Sequence, residues 1–95
     1  MSYAVQIAPG ALREIKALPP AARRAVGAVI EMLAGDPRPT GAKKIGDIAD
    51  CYRVRSGDYR IVYTLLDKVL SVSVVTVGHR AEVYKGLRDR VKRRA

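Results

Sequence analysis

The stretch RVRSGDYR, residues 53–60, sets Arg53, Arg55 and Arg60 around one tight turn. Residues two apart on a strand point to the same side, so Arg53 and Arg55 emerge together while Val54 points the other way. The turn brings Arg60 back beside them where the register allows. Further on, Gly78-His79-Arg80 and then Tyr84 add another cation and a phenol. Guanidinium groups stay charged and donate in pairs to phosphate oxygens. A tyrosine among them can stack on an unpaired base or donate to a phosphoryl oxygen. The chemistry that suits this set is capture of a phosphodiester, with single-stranded RNA as the natural ligand.

Alternation alone puts arginines on the wet face of an antiparallel sheet without any function. Like charges this close, however, cost stability unless an anion lies between them. With Phe and Trp absent, Tyr52, Tyr59 and Tyr63 belong to the core as its large aromatics. A single histidine such as His79 is more often a hydrogen-bond partner than a catalyst.

The chain has 95 residues, enough for one modest core, and residues 1–95 read as a single domain. Lys and Arg number 18 against 9 Asp and Glu, a formal charge of +9. Such a field gathers polyanions, so nucleic acid or an acidic protein is the expected partner. No amphipathic segment combines a basic face with bulky aromatic anchors, and no membrane partner is expected. Cys51 is the one cysteine and no His/Cys group has zinc spacing, which fits a reducing compartment and gives no reason to expect a metal or other cofactor. The N-terminus lacks a secretory pattern, so a cytoplasmic location is expected.

The elements that must position these residues follow from periodicity. Residues 3–7 alternate as a short strand. Residues 11–18 carry Leu12, Ile15 and Leu18 at helical spacing, and Pro19-Pro20 ends this helix and opens the next. Ala22, Val26, Val29, Ile30 and Leu33 continue with period 3.6 until Gly35. Residues 36–46 read as a turn-rich connection. Residues 52–55, 59–66 and 69–77 are rich in Val, Ile, Tyr and Thr, with hairpin turns between them, and form a meander. Residues 81–94 give a short closing helix or a frayed basic tail. The fold class is α+β: an N-terminal strand, two helices packed on one face, and a three-stranded antiparallel meander.

The runs Cys51-Tyr52-Arg53-Val54-Arg55, Gly57-Asp58-Tyr59-Arg60-Ile61-Val62-Tyr63, Val77-Gly78-His79-Arg80 and Glu82-Val83-Tyr84 resemble the RelE branch of the RelE/ParE toxin superfamily. The order of elements agrees along nearly the whole chain. The resemblance implies a RelE-like fold and the toxin of a type II toxin–antitoxin pair, a ribosome-dependent endoribonuclease that cuts mRNA in the A site. Its implied partners are a cognate antitoxin, forming a hetero-oligomer, together with the ribosome and mRNA. The family's basic strand residues, return-strand arginine, arginine after the last strand and C-terminal tyrosine match Arg53, Arg55, Arg60, Arg80 and Tyr84.

Cleavage by attack of the 2′-hydroxyl on phosphorus needs a base, charge stabilisation and an acid. Arg53, Arg55 and Arg60 suit stabilisation of charge, and Arg80 would brace the phosphate or the leaving oxygen. The best-known family pattern has lysines at the positions of Arg53 and Arg55, and an arginine cannot serve as base near neutral pH. Tyr84 and His79 are the candidates for that role, a histidine's reference pKa being about 6.5. Lys43 and Lys44 are outside candidates, better placed on a solvated loop that touches ribosomal RNA or a partner. The C-terminal run holding Arg88, Arg90 and Lys92 reads equally as a solvated helix face and as a ribosomal RNA contact. Two other functions compete: a ParE-like inhibitor of DNA gyrase, and a non-catalytic domain that binds RNA by charge.

Overall fold

Pro9 and Pro20 decide where the first two helices begin. The computed structural model describes residues 2–94. Strand β1 (Ala4–Ile7) leads directly into helix α1 (Pro9–Lys16), and helix α2 spans Pro20–Met32. Each proline sits in the first turn, where its missing N–H has no helical partner to lose. Helix α1 therefore starts two residues earlier than its apolar spacing suggests. Both helices bury a stripe: Ala11 and Ile15 on α1, Val26 and Ile30 on α2.

Strands β2 (Lys43–Lys44), β3 (Cys51–Ser56), β4 (Tyr59–Leu66) and β5 (Ser71–His79) complete one sheet in the order β1-β5-β4-β3-β2. The expected meander is β3-β4-β5. One feature goes beyond the sequence reading and one differs from it. Strand β1 joins the sheet parallel to β5, with Ala4 opposite Ser71 and Ile7 opposite Val74. Strand β2, read as loop, is a two-residue strand that exists only through pairing with β3 and has no periodicity of its own.

The sheet is covered on both faces, which explains the continuous apolar run along β5. One face packs Val54, Ile61, Tyr63, Leu65, Val72 and Val74 against α1 and α2. On the other face Cys51, Val62 and Val75 meet Val83, Leu87 and the half-buried Val91. Helix α3 (Leu87–Arg94) supplies part of this second layer, so the expectation of helices on one face holds for α1 and α2 only. Leu87 and Val91, four residues apart on α3, form the narrow apolar stripe that turns a basic tail into a docked helix, and Val83 joins them from the turn that precedes it. Burying Leu87 alone contributes about 1.5–3 kcal/mol.

An irregularity in β5 fixes where α3 docks. The β4–β5 register shifts between Val62 and Tyr63, leaving Val75 without a partner on β4. On the far side of β5, β1 stops at Val74. Side chains complete the ladder there: Val77 N–H and the Thr76 hydroxyl donate to Glu14 on α1, and Arg90 on α3 donates to the Val75 carbonyl. Arg90 also pairs with Glu14 at 2.8 Å. Burial pushes the Glu14 carboxyl up, but the hydrogen bonds from Arg90, Val77 and Thr76 outweigh it and hold the group below its usual value. At the opposite end of the sheet, Arg38 reaches both oxygens of Asp67, donates to the Tyr52 hydroxyl and lies over the Tyr52 ring. The Tyr63 hydroxyl donates to the Pro37 carbonyl at 2.7 Å. Together these bonds pin the connection from α2 to β2.

Candidate functional site

The β3–β4 hairpin has a two-residue turn, Gly57 and Asp58, and Gly57 takes a φ of 59°. A left-handed residue in the first loop position suits the twist of a tight hairpin, and glycine adopts it without strain. This turn sets Ser56 opposite Tyr59 and Arg55 opposite Arg60, and β5 places Gly78 beside Arg60. Residues directly opposite in an antiparallel pair share a face. Arg53, Arg55 and Arg60 therefore emerge on the same side as Cys51 and Val62, away from α1 and α2.

Gly78 admits the fourth wall. A Cβ built there would stand 3.2 Å from Val83 Cγ1, so the turn at Glu82–Tyr84 settles onto a strand position that has no side chain. Buried Val83 anchors that turn and holds half-exposed Tyr84 beside it. Arg80 is tied to the hairpin through its own backbone, its N–H donating to the Asp58 carbonyl at 3.2 Å. The outcome is a cleft of about 340 Å³ lined by Arg53, Arg55, Arg60, Arg80, Ala81 and Tyr84.

The charge in this cleft is uncompensated. None of its four arginines makes an ion pair among the described residues. Arg60 Nη1 is held at 3.2 Å by the Gly57 and Tyr59 carbonyls, which aim its remaining donors without neutralising them. Arg53 Nη1 is buried and has no hydrogen-bond partner among the described residues. An unpaired buried donor costs about 1–3 kcal/mol, a cost that an incoming oxyanion would remove. A larger hollow of about 700 Å³ lies between α1 and the β5 edge. Its Arg90 is committed to Glu14, which leaves Arg13 as its one cation without an ion pair among the described residues, against four in the smaller cleft.

The structure does not bring every candidate residue here. His79 lies opposite Tyr59 on the face that packs toward α1 and α2, and meets its ring edge-on at 5.4 Å. The alternation that sends Gly78 to the cleft face sends His79 away from it, a signal present in the sequence. Arg90 spends its guanidinium on Glu14 and the Val75 carbonyl, away from the cleft. Arg88 pairs with Asp47 at 2.6 Å. Lys92 is exposed on α3. Lys44 lies opposite Tyr52 on the helix side of the sheet, whereas Lys43 lies opposite Arg53 on the cleft side. Cys51 lies under the sheet, its thiol pushed up to about 11 by burial, and is packing rather than a nucleophile.

The family model described as the ParE toxin of type II toxin–antitoxin systems, parDE, matches residues 5–84. The chain belongs to this toxin family. It is 33% identical to Toxin RelG of Mycobacterium tuberculosis, covering 90% of this chain and 99% of the relative. It is also 33% identical to the mRNA interferase toxin RelE of Escherichia coli K12, covering 88% of this chain and 92% of that protein. A free-state double arginine-to-alanine mutant of Escherichia coli RelE superimposes with a TM-score of 0.78 at 30% identity, over 98% of each chain. The toxin is thus of the RelE type, with the α+β architecture of that group. No helix among its described residues is long and apolar enough to cross a membrane.

Proposed function

We propose that the toxin cleaves mRNA on the ribosome and that the arginine cleft is where the RNA linkage is bound and broken. The observation that carries this reading is the convergence of Arg53, Arg55, Arg60, Arg80 and Tyr84 on one cleft without a carboxylate counter-ion among them. The relative named an mRNA interferase supports the same reaction.

In this reading the 2′-hydroxyl attacks the adjacent phosphorus, the P–O5′ bond breaks, and the products are a 2′,3′-cyclic phosphate and a free 5′-hydroxyl. Negative charge grows on the non-bridging oxygens in the transition state. Arg55, Arg60 and Arg80, from both arms of the hairpin and the end of β5, face that charge from separate backbone anchors. Donors fixed in advance are worth most here, and losing one costs on the order of 100-fold to 1,000-fold in rate. Tyr84 is the one cleft side chain other than arginine with a proton to exchange, so it serves the 2′-hydroxyl or the departing 5′-oxygen. The antitoxin of the pair is the partner that would silence the activity.

Translating ribosomes with mapped transcript 5′ ends provide the test. The unaltered toxin should produce new ends in A-site codons, and both Arg80→Ala and Tyr84→Phe should suppress them at least 100-fold. Uncut transcripts with the unaltered toxin, or full cutting by both variants, would refute the reading. The ParE name of the matching family motivates a rival, inhibition of DNA gyrase, which a supercoiling assay reads directly.

A further inference from the structure

The line of cations does not stop at the cleft. Lys43 on β2 lies directly opposite Arg53. Opposed residues of an antiparallel pair project from the same face with Cβ atoms about 4.5–5.5 Å apart. Ile45, two residues on, packs with Cys51 and Val62 beneath that face, which confirms the direction of Lys43. Lys43 is exposed and has no ion pair among the described residues. Arg53 therefore stands between Lys43 across the strand pair and Arg55 two residues along its own strand, about 6.6–6.8 Å away. That spacing is comparable with the separation of successive phosphates in an extended single strand.

We propose that Lys43 and the buried Nη1 of Arg53 form a second phosphate subsite, gripping the phosphate next to the one held by Arg55, Arg60 and Arg80. The proposal rests on the RNA-cleaving reading and adds the direction of the substrate: the strand lies from β2 toward the β3–β4 turn. The division of residue types fits. Bidentate guanidiniums hold the reacting phosphate, where geometry decides the rate, while a compact ammonium on a flexible stem holds a neighbour that needs only charge. Arg53, within reach of both, is the residue with an unfilled buried donor. Lysine on an edge strand also discourages sheet-to-sheet pairing, but Lys44 on the opposite face serves that purpose equally well.

The test uses binding of a short single-stranded RNA blocked by 2′-O-methylation at the attacking position, followed by fluorescence anisotropy across a salt series. Lys43→Gln should weaken binding roughly fivefold at low salt. It should also flatten the slope of log K against log salt by about 0.7, one phosphate contact on a single strand. Lys44→Gln should leave the slope unchanged. A neutral methylphosphonate at the linkage on one side of the blocked nucleotide should abolish the difference between Lys43→Gln and the unaltered toxin, while the same change on the other side should preserve it. Equal losses in both lysine variants, additive losses at both linkages, or no RNA binding by the unaltered toxin would overturn the subsite. Cleavage assays remain separate: retained binding with this pattern but uncut mRNA would refute the cleavage reading and leave the subsite standing.

Discussion

Replacing Arg53 by methionine should make the toxin more stable and less able to hold RNA. Methionine keeps an apolar stem of similar reach and removes the guanidinium. Arg53 Nη1 is buried without a partner, and relieving such a group gains about 1–3 kcal/mol. Its like-charged cross-strand neighbour Lys43 adds a repulsion of about 0.2–1 kcal/mol. Against this stands the hydration of the part of the side chain that remains in contact with water, which reduces the net gain to about 1 kcal/mol. For a domain of this size that is a rise of about 4–8 °C in Tm, read by thermal unfolding at low ionic strength. Near 1 M salt, where the Debye length falls to about 3 Å, the repulsive part should disappear and the buried-donor part persist. A short blocked RNA should raise the Tm of the unaltered toxin and raise that of Arg53→Met much less, since only ligand bound to the folded state stabilises it. A loss of 1 kcal/mol or more in Arg53→Met would instead show that the guanidinium is a satisfied structural group.

The Glu14–Arg90 clamp predicts an acid-sensitive fold. The folded-state pKa of Glu14 lies below its ordinary value of 4.5, so its contribution is present above that value and fades as pH falls through the folded one. Glu14→Gln should lose about 1–2 kcal/mol near pH 7, a figure already reduced for partial exposure. Urea midpoints of the two proteins should draw together as pH falls below 4.5 and through the lowered folded-state value. Gly78→Ala should cost about 1 kcal/mol by pressing a methyl group on Val83, yet reduce cleavage far more, because the displaced turn carries Tyr84. Parallel urea unfolding and ribosome cleavage assays separate the two effects. Gly57→Ala should cost about 1–2 kcal/mol in urea unfolding, since its φ of 59° burdens any residue with a Cβ.

The parts of the fold that rest on local periodicity were legible in the sequence. Val, Ile and Tyr along β3, β4 and β5, with Gly57-Asp58 between the first two, announce a meander. Pro19-Pro20 announces the start of α2, whereas α1 begins at Pro9, two residues before its apolar spacing shows it. What the sequence hid depends on partners distant along the chain. Lys43 and Lys44 form a strand only because β3 offers a free edge, and β1 lies parallel to β5 across a connection that runs through α1, α2 and strands β2 to β4. Glu14 and Arg90 lie 76 residues apart and meet only at the irregular stretch of β5, so nothing local in the sequence pairs them. The gathering of Arg53, Arg55, Arg60, Arg80 and Tyr84 was legible in outline, since it follows from alternation and a tight turn. The unfilled nitrogen of Arg53 was not, because burial is a property of the packed molecule. The placement of His79 on the face away from the cleft was legible too, since its strand parity points there.

The most direct measurement is a structure of the toxin bound to a ribosome whose A-site mRNA carries a 2′-O-methyl block. The account predicts the blocked linkage inside the cleft, with its phosphate oxygens on Arg55, Arg60 and Arg80 and the Tyr84 hydroxyl within hydrogen-bond reach of the 2′- or 5′-oxygen. RNA lying instead along the exposed Arg23 and Arg24 of α2, with the cleft vacant, would contradict it.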